Sequence, residues 1–566
     1  MFETLPDTAT DFMAWTWADI EPYFADLLAR KLDEASVESW LSDWTRLAEL
    51  VQERFARLSL ANTQDTRDEA AEARFHAFLS DIQPKAQKAS HQLDERLLAS
   101  GLEPAGFEIP LRNMRSDAAL FREENLPLRV AEQKLGSEYN KIVGNQTIEW
   151  HGETKTLPQL GPLFETPDRP VRQELWQKMA GRVMQDRESL NALWQQLIEN
   201  RRQQGANVGL ENYRALRWRM LRRFEYTPED CETFHRAIEE AVVPAASRIY
   251  ARAREAEALD SLRPWDVRGD VYTFDFPAYA PFEDVAELEA RSEVIFSQVD
   301  PQLGGYFSTM RQEGLLDLPN RPGKGPGGFC TTFANAKRPF IFMNAVGTGG
   351  DVRTMLHECG HAFHVFQNSR LPFIHQRRTT SEFNEVASMA MELLASPYIE
   401  EERGGFFAAE EAARYRRSHL EKIILFWPYM AVVDAFQHWV YTSMDQAVDP
   451  MACDAKWAEL WDRFMPGIDF SGYEDWKQTG WHRKLHIFRL PFYYVEYGLA
   501  QMGALQVWRN SLTDQAGAVR QYKQALALGG TQPIPALFSA AGARFGFDTE
   551  LMTELVDLIE TTIAEL

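Results

Sequence analysis

The sequence predicts a predominantly α-helical protein with small β elements, and three observations carry that prediction. Apolar residues recur every three or four positions through long stretches rich in Ala, Leu, Glu and Arg, which is the amphipathic-helix pattern. Runs of β-forming residues are short and bounded by turn residues. From Thr379 to Leu566 the helical pattern is broken only near Pro397, Gly404, Gly467, Pro491, Gly529 and Pro533.

Taken in order, Asp19 to about Leu98 reads as helix, with Leu41, Trp44, Leu47, Val51 and Phe55 as one apolar stripe. Pro104 to Pro110 interrupts it, and Met114 to about Asn140 is helical again. Between Asn145 and Leu157 the period changes, and β-formers flank His151-Gly152, which predicts a hairpin. A helix then starts with Pro170 in its first turn and runs to about Gln204. Gly205 to Gly209 is the expected break between an N-terminal helical region, 1–204, and a catalytic region, 205–566, whose spatial lobes need not be contiguous in sequence. Thr227 caps a helix with Pro228 in its first turn, continuing to about Ala258, and Asp270–Phe276 is a short β-like run. The turn-rich loop Asn320–Gly328 precedes two apolar runs, Phe329–Phe333 and Pro339–Asn344, which predict a second hairpin. Its second strand leads through Gly347–Gly350 into the next helix, so a sheet edge able to pair with an extended peptide should lie beside that helix.

Composition excludes several functions. With 60 Lys and Arg against 83 Asp and Glu, the formal charge of −23 repels phosphate backbones and anionic lipid headgroups, so no nucleic-acid partner is expected. The first residues lack the basic and apolar regions of an export signal, and no run approaches the roughly 18 apolar residues of a membrane span. A cytoplasmic protein without membrane contact is expected. Cys231, Cys330, Cys359 and Cys453 are far apart and show no paired spacing, which suits a reducing compartment. Cys359 alone stands near the chemistry described next, as a buried spacer. Oligomeric state, monomer or homodimer, is not readable.

That chemistry is carried by His357-Glu358-Cys359-Gly360-His361, which fits H-E-x-x-H. Two histidines one helical turn apart can chelate one zinc ion, and the Glu between them can act as a base. At about 100° per residue, His357, His361 and His364 fall on one face of the helix Asp351–Asn368, while Met355, Cys359, Ala362, Phe363 and Phe366 fall opposite. Asp351 suits the N-cap, and Gly360 permits close approach of another element. His364 lies a further turn along and is not needed as a ligand. Catalytic zinc requires a third protein ligand, and the position six after the second histidine is Gln367, so a third histidine is not supplied there. A downstream helix offers Glu382, Glu385 and Glu392 instead. Thr379 and Glu382 have capping-box spacing, and Glu385 and Glu392 share a stripe. Residue physics leaves these three carboxylates open.

HECGHAFH followed by EFNEVASMAMELL resembles the M3 zinc oligopeptidase family that contains thimet oligopeptidase and oligoendopeptidase F, most closely the oligoendopeptidase F branch. PGKGPGGFCTTFANAKRPFIFMN and HIFRLPFYYVEYGLAQ extend the likeness, and NQTIEWHGETKTLPQL does so more weakly. Together they cover most of Asn145 to Leu566. The resemblance implies a helical, clam-like, two-lobed enclosure around a deep channel, with one Zn2+ per chain bound by His357, His361 and Glu385. It implies Glu358 as the catalytic base, and an opposite wall in which His486, Tyr493, Tyr494 and Tyr497 match the family's oxyanion-stabilising His and Tyr. The substrates implied are short unstructured peptides cut at internal bonds. Two other functions compete: a di-iron carboxylate oxidoreductase, since Glu232-x-x-His235 repeats the Glu358-x-x-His361 spacing, and a non-catalytic helical peptide-binding protein. For the first, Glu232 and His235 read more simply as part of a surface-facing helix.

Overall fold

The computed structural model describes residues 1–268, 274 and 280–566. All of the expected β-like run Asp270–Phe276 except Phe274 lies outside them. The described chain is mostly helical with two small sheets, as expected. It forms two compact units, each assembled from three segments. Met1–Ala119, Ala278–Ala412 and Gly503–Phe545 make up the motif unit, and Leu120–Pro277, Ala413–Met502 and Gly546–Leu566 make up the hairpin unit.

In the hairpin unit, strands β1 (Thr147–Trp150) and β2 (Glu153–Thr156) pair antiparallel around His151 and Gly152. Their φ values of 50° and 82° are the two positive angles that a tight hairpin turn of matching twist requires. Pro170 sits in the first turn of helix Arg169–Met184, behind Asp168, whose side chain accepts from the Val171 amide. Two turn residues, Gln185-Asp186, then end it, and a separate helix, Arg187–Val208, follows where one helix was expected. The expected boundary at 204/205 falls inside that helix. Gly205 is there for space rather than for a break, because a Cβ on it would stand 3.1 Å from the backbone nitrogen of Tyr213. The helix ends at Gly209, in the left-handed conformation at φ 73°. Thr227 caps helix Pro228–Ala237 in a reciprocal box with Asp230, and a π turn, Ile238–Val242, links it to Val243–Ala256.

In the motif unit, helix Val37–Gln64 buries Trp40, Leu41, Trp44 and Leu47 in a core shared with Phe12, Phe24, Leu93, Leu97 and Phe107. Phe55, counted in that stripe from the sequence, is 39% exposed and instead meets the Phe75 ring at 5.8 Å. Strand β3 (Leu316–Pro319) is followed by β4 (Phe329–Phe333) and β5 (Arg338–Ala345), in the order β3-β5-β4. β4 and β5 are the expected antiparallel hairpin, and β3 is an unexpected parallel partner of β5. Asp317 on β3 accepts hydrogen bonds from Gln64, Arg321 and Lys324, so it anchors the start of the glycine-rich loop.

Among the described residues one helix, Ala409–Thr442, is long and apolar enough to cross a bilayer by length and composition, and 83% of its apolar window is buried. The expectation that no run approaches such a span is corrected. Here the apolar side chains, among them Ile424, Trp427, Val433 and Phe436, are covered by protein.

Candidate metal centre

The motif helix, Gly349–Asn368, begins three residues earlier than Asp351 would suggest as a cap. Thr348 is the N-cap, its hydroxyl accepting from the Asp351 amide while the Asp351 carboxylate accepts from the Thr348 amide. Gly349-Gly350, expected as part of the lead into the helix, belong to its first turn. The partner helix, Ser381–Ala395, has Thr380 as N-cap without a side-chain cap bond, so the expected Thr379–Glu382 box does not form. The Thr379 hydroxyl instead lies 3.3 Å from His364 Nε2. The two helices cross at Gly360, where a Cβ would stand 2.5 Å from both the Ala387 carbonyl oxygen and Ser388 Cα. Only glycine allows this approach, and the approach brings the carboxylates of one helix to the imidazoles of the other.

His357 Nε2 lies 3.5 Å and His361 Nε2 3.8 Å from Glu385 Oε2. The three ligand atoms are all within 4.8 Å of one another. Tetrahedral zinc with bonds of about 2.0–2.2 Å wants ligand atoms about 3.3–3.6 Å apart, so a small closing movement would satisfy it. Glu392 is engaged elsewhere, its Oε1 2.7 Å from His357 Nδ1. This contact keeps a proton on Nδ1 and leaves Nε2 as the nitrogen that faces Glu385 and His361. Ser388 Oγ donates to Glu385 Oε2 at 3.2 Å, which restrains that carboxylate. Glu382 is buried outside this group, as is His364.

Burial sets the protonation states. It pushes His361 down to about 4, leaving a neutral ring with a lone pair to offer. Burial also opposes charge at His357, but hydrogen bonds to Glu385 and Glu392 outweigh it and raise that group. The same two carboxylates favour any cation placed between the rings. At Glu385 burial is again opposed, by hydrogen bonding from His357 and by the electrostatic influence of both histidines, and the carboxyl is held below its usual range. Glu358, largely buried, is pushed up to about 7 by desolvation. Cys359 is the buried spacer expected, but Cys330 on β4 is also beside the motif. Its backbone amide works against the rise at Glu358, and its thiol feels both Glu358 and Cys359.

His486, Tyr493, Tyr494 and Tyr497 belong to the hairpin unit and form one ring cluster there. The His486 ring centre is 4.8 Å from Tyr494 and 6.2 Å from each of Tyr493 and Tyr497. Tyr494 is buried with Lys484 Nζ 4.0 Å over its ring, whereas Tyr493 and Tyr497 keep partial solvent access.

A second group, Cys231, Asp434 and His438, also brings metal-ligating atoms together. His235 Nε2 lies 2.9 Å and His438 Nε2 3.3 Å from Asp434 Oδ2, and Arg214 Nη1 donates to His438 Nδ1 at 3.1 Å. A guanidinium can only donate, so Nδ1 of His438 is the acceptor and its ring proton is on Nε2. That nitrogen has no lone pair for a metal, and the group reads as a buried charge network. His235 is therefore not on a surface face as expected, although Glu232 is, with half its side chain exposed. A di-iron site needs both residues turned to one ion, and they diverge.

Comparison with known proteins follows the same direction. The sequence profile described as peptidase family M3 matches residues 163–556. The structure is similar to that of a protein assigned as an oligoendopeptidase F, with a TM-score of 0.86 and 27% identity over 100% of this chain and 99% of that one. It is equally similar to PZ peptidase A solved with an inhibitor, at 0.86 and 26%, again over 100% and 99%. A Bacillus anthracis str. Ames protein, also assigned as an oligoendopeptidase F, shares the fold at 0.82 and 23% identity, over 98% of this chain and 97% of its own. No curated protein matches the sequence.

Proposed function

The chain belongs to peptidase family M3 and is a metallopeptidase, and from that premise we propose that it hydrolyses internal bonds of short, unstructured peptides, with one zinc ion held by His357, His361 and Glu385. The observation that carries this reading is the convergence of those three ligand atoms within 4.8 Å, next to a carboxyl pushed up to about 7. Membership of a family of peptidases also leaves no role for the non-catalytic peptide-binding alternative. When bound, zinc would supply a Lewis acid that makes water nucleophilic near neutral pH and polarises a peptide carbonyl.

The chain's own residues supply proton handling, orientation and charge stabilisation. Glu358 takes a proton from the attacking water and returns it to the leaving amine, a task suited to a carboxyl that titrates near the working pH. It is carried by the motif helix, and the backbone of Cys330 on β4 lies close enough to act on its carboxyl. β4 is the outer strand of its sheet, and an extended peptide paired along it would run next to Glu358. His486 with Tyr494 or Tyr497, and Tyr493 beside them, would donate hydrogen bonds to the carbonyl oxygen as it gains charge. Loss of one such donor costs about 10²- to 10³-fold in turnover. We place the enzyme in the cytoplasm, consistent with four cysteines that form no disulfide.

Incubation with a mixed peptide library, with and without chelator, and mass-spectrometric mapping of the products tests the whole reading. Chelator-sensitive cleavage at internal bonds of short peptides is expected, and intact peptides in the presence of zinc would overturn it.

A further inference from the structure

The ring cluster of the hairpin unit is carried by an elbow that one backbone bond closes locally, from the Tyr493 amide to the Leu490 carbonyl at 3.1 Å, with the remaining carbonyls held from a distance. Helix Leu485–Arg489, bearing His486, is five residues long, too short to satisfy its own last carbonyls. Pro491 has no amide proton, and buried Phe492 adopts φ 64°, a left-handed conformation disfavoured for any residue with a Cβ. Helix Tyr494–Thr513, bearing Tyr494 and Tyr497, starts immediately afterwards. The angle between these two helices decides where the four rings meet.

Three arginines cover the elbow's carbonyls. Arg201, fully buried on helix Arg187–Val208, donates to the carbonyls of Ile487 and Phe488. Arg217, on helix Tyr213–Met220, donates through Nε to the Pro491 carbonyl at 3.2 Å. Arg223, also buried, donates to the Phe492 carbonyl and pairs at 2.7 Å with Glu496, which sits between the two tyrosines of the following helix. Each buried guanidinium is itself held, Arg201 by Glu132 at 2.7 Å and Tyr441 at 2.7 Å, and Arg223 by Glu496. The Phe492 amide is taken by Gln437 Oε1 at 2.8 Å, which closes the elbow from the other side.

Burying ion pairs is a poor route to stability, because desolvation consumes most of the Coulombic gain. A planar donor fork that is charged at every working pH is, however, an effective way to hold several carbonyls in one arrangement. We infer that Arg201, Arg217 and Arg223 are positioning residues that set the elbow at Leu490–Tyr493 and so aim the His486, Tyr493, Tyr494 and Tyr497 rings. The inference rests on the proposed reading that these rings act on the scissile carbonyl.

The test is a kinetic cycle in the zinc-loaded full-length enzyme. Arg217→Ala removes one partly exposed clamp and should leave the fold and zinc content unchanged. Its kcat should fall about 10- to 100-fold, the scale of an ångström-sized misplacement, with KM within about twofold. Arg201→Lys keeps the charge but loses the fork and should not restore full kcat. His486→Ala, Tyr494→Phe and Tyr497→Phe are measured alone, and the most damaging of them is combined with Arg217→Ala. If the arginine acts through that ring, the double variant loses no more than the worse single. Full kcat in all three ring variants would remove the reading beneath the proposal. Impaired ring variants alongside full kcat in Arg217→Ala and Arg201→Lys, or losses that multiply in the double variant, would overturn the clamp itself. Should Arg201→Lys fail to fold, Arg217→Ala and its cycle still decide.

Discussion

Glu392 should control how tightly the centre holds zinc without being a ligand. Its carboxylate accepts from His357 Nδ1 at 2.7 Å, and the two side chains are 9% and 25% exposed, so solvent screening is modest. A hydrogen bond of this kind, to a charged acceptor, is worth roughly 1.5–3 kcal/mol. Loss of such a contact to a metal-bound histidine lowers metal affinity about 10- to 100-fold, which is the same range on the scale of about 1.4 kcal/mol per tenfold. Glu392→Ala removes acceptor and charge together and should show the full loss, whereas Glu392→Gln keeps an acceptor oxygen and should lose clearly less. Zinc affinity would be measured by competition with a chelator of known affinity at fixed pH, with bound metal quantified directly. At saturating zinc both variants should recover most of their turnover, since neither proton transfer nor carbonyl polarisation involves Glu392. Wild-type zinc affinity in Glu392→Ala would refute the reasoning, as would turnover that excess zinc does not restore.

Glu358→Gln should bind zinc normally and lose about 10²- to 10⁴-fold in turnover, measured by zinc content and peptide cleavage on one preparation. Chelation should abolish cleavage and lower the thermal midpoint, and returning zinc should raise stability by about 1.4 kcal/mol per tenfold excess over Kd, read from melting curves. Gly360→Ala should cost about 1–3 kcal/mol in denaturant unfolding and weaken zinc binding, because its Cβ would force the partner helix and Glu385 away. Asp317 supplies a pH signature. Burial works against its carboxylate, but hydrogen bonds from Arg321, Gln64 and Lys324 prevail and hold it at about 2 against an ordinary 3.8. A depressed pKa stabilises the fold above the unfolded value and is lost as pH falls through the folded one. The stability gap between wild type and Asp317→Asn should therefore be constant from pH 7 to about 5 and shrink between about 4 and 2; a gap independent of pH throughout would show that the charge is not what stabilises.

The parts of this molecule legible in the sequence are those fixed by short-range periodicity. The two faces of the motif helix, the hairpin at His151-Gly152 and the Thr227 cap all depend on neighbours within one turn. What remained hidden depended on partners far along the chain. Gly205 and Gly349-Gly350 carry breaker chemistry, yet packing and a capping box keep them helical. β3 is short and pairs in parallel with a strand reached through a long connection, so no local turn announces it. Glu385 and Glu392 share a stripe, but only the crossing at Gly360 decides that one faces both Nε2 atoms and the other takes Nδ1. Glu232 and His235 satisfied a spacing rule while pointing to different surroundings, which a spacing rule does not encode. The arginine clamp was invisible for a similar reason, its acceptors being backbone carbonyls that every residue possesses.

The crossing of the two helices also changes what the short pattern H-E-x-x-H means in this molecule. Its two middle positions are written as wild cards, but Cys359 is wholly enclosed and Gly360 touches another backbone. A saturation library at these positions should return almost nothing but small side chains at 359 and glycine at 360. Transplanting the two histidines and the glutamate onto a foreign helix would reproduce the spelling of the site without the contact that brings in its third arm. In this architecture the unit of inheritance is the pair of helices.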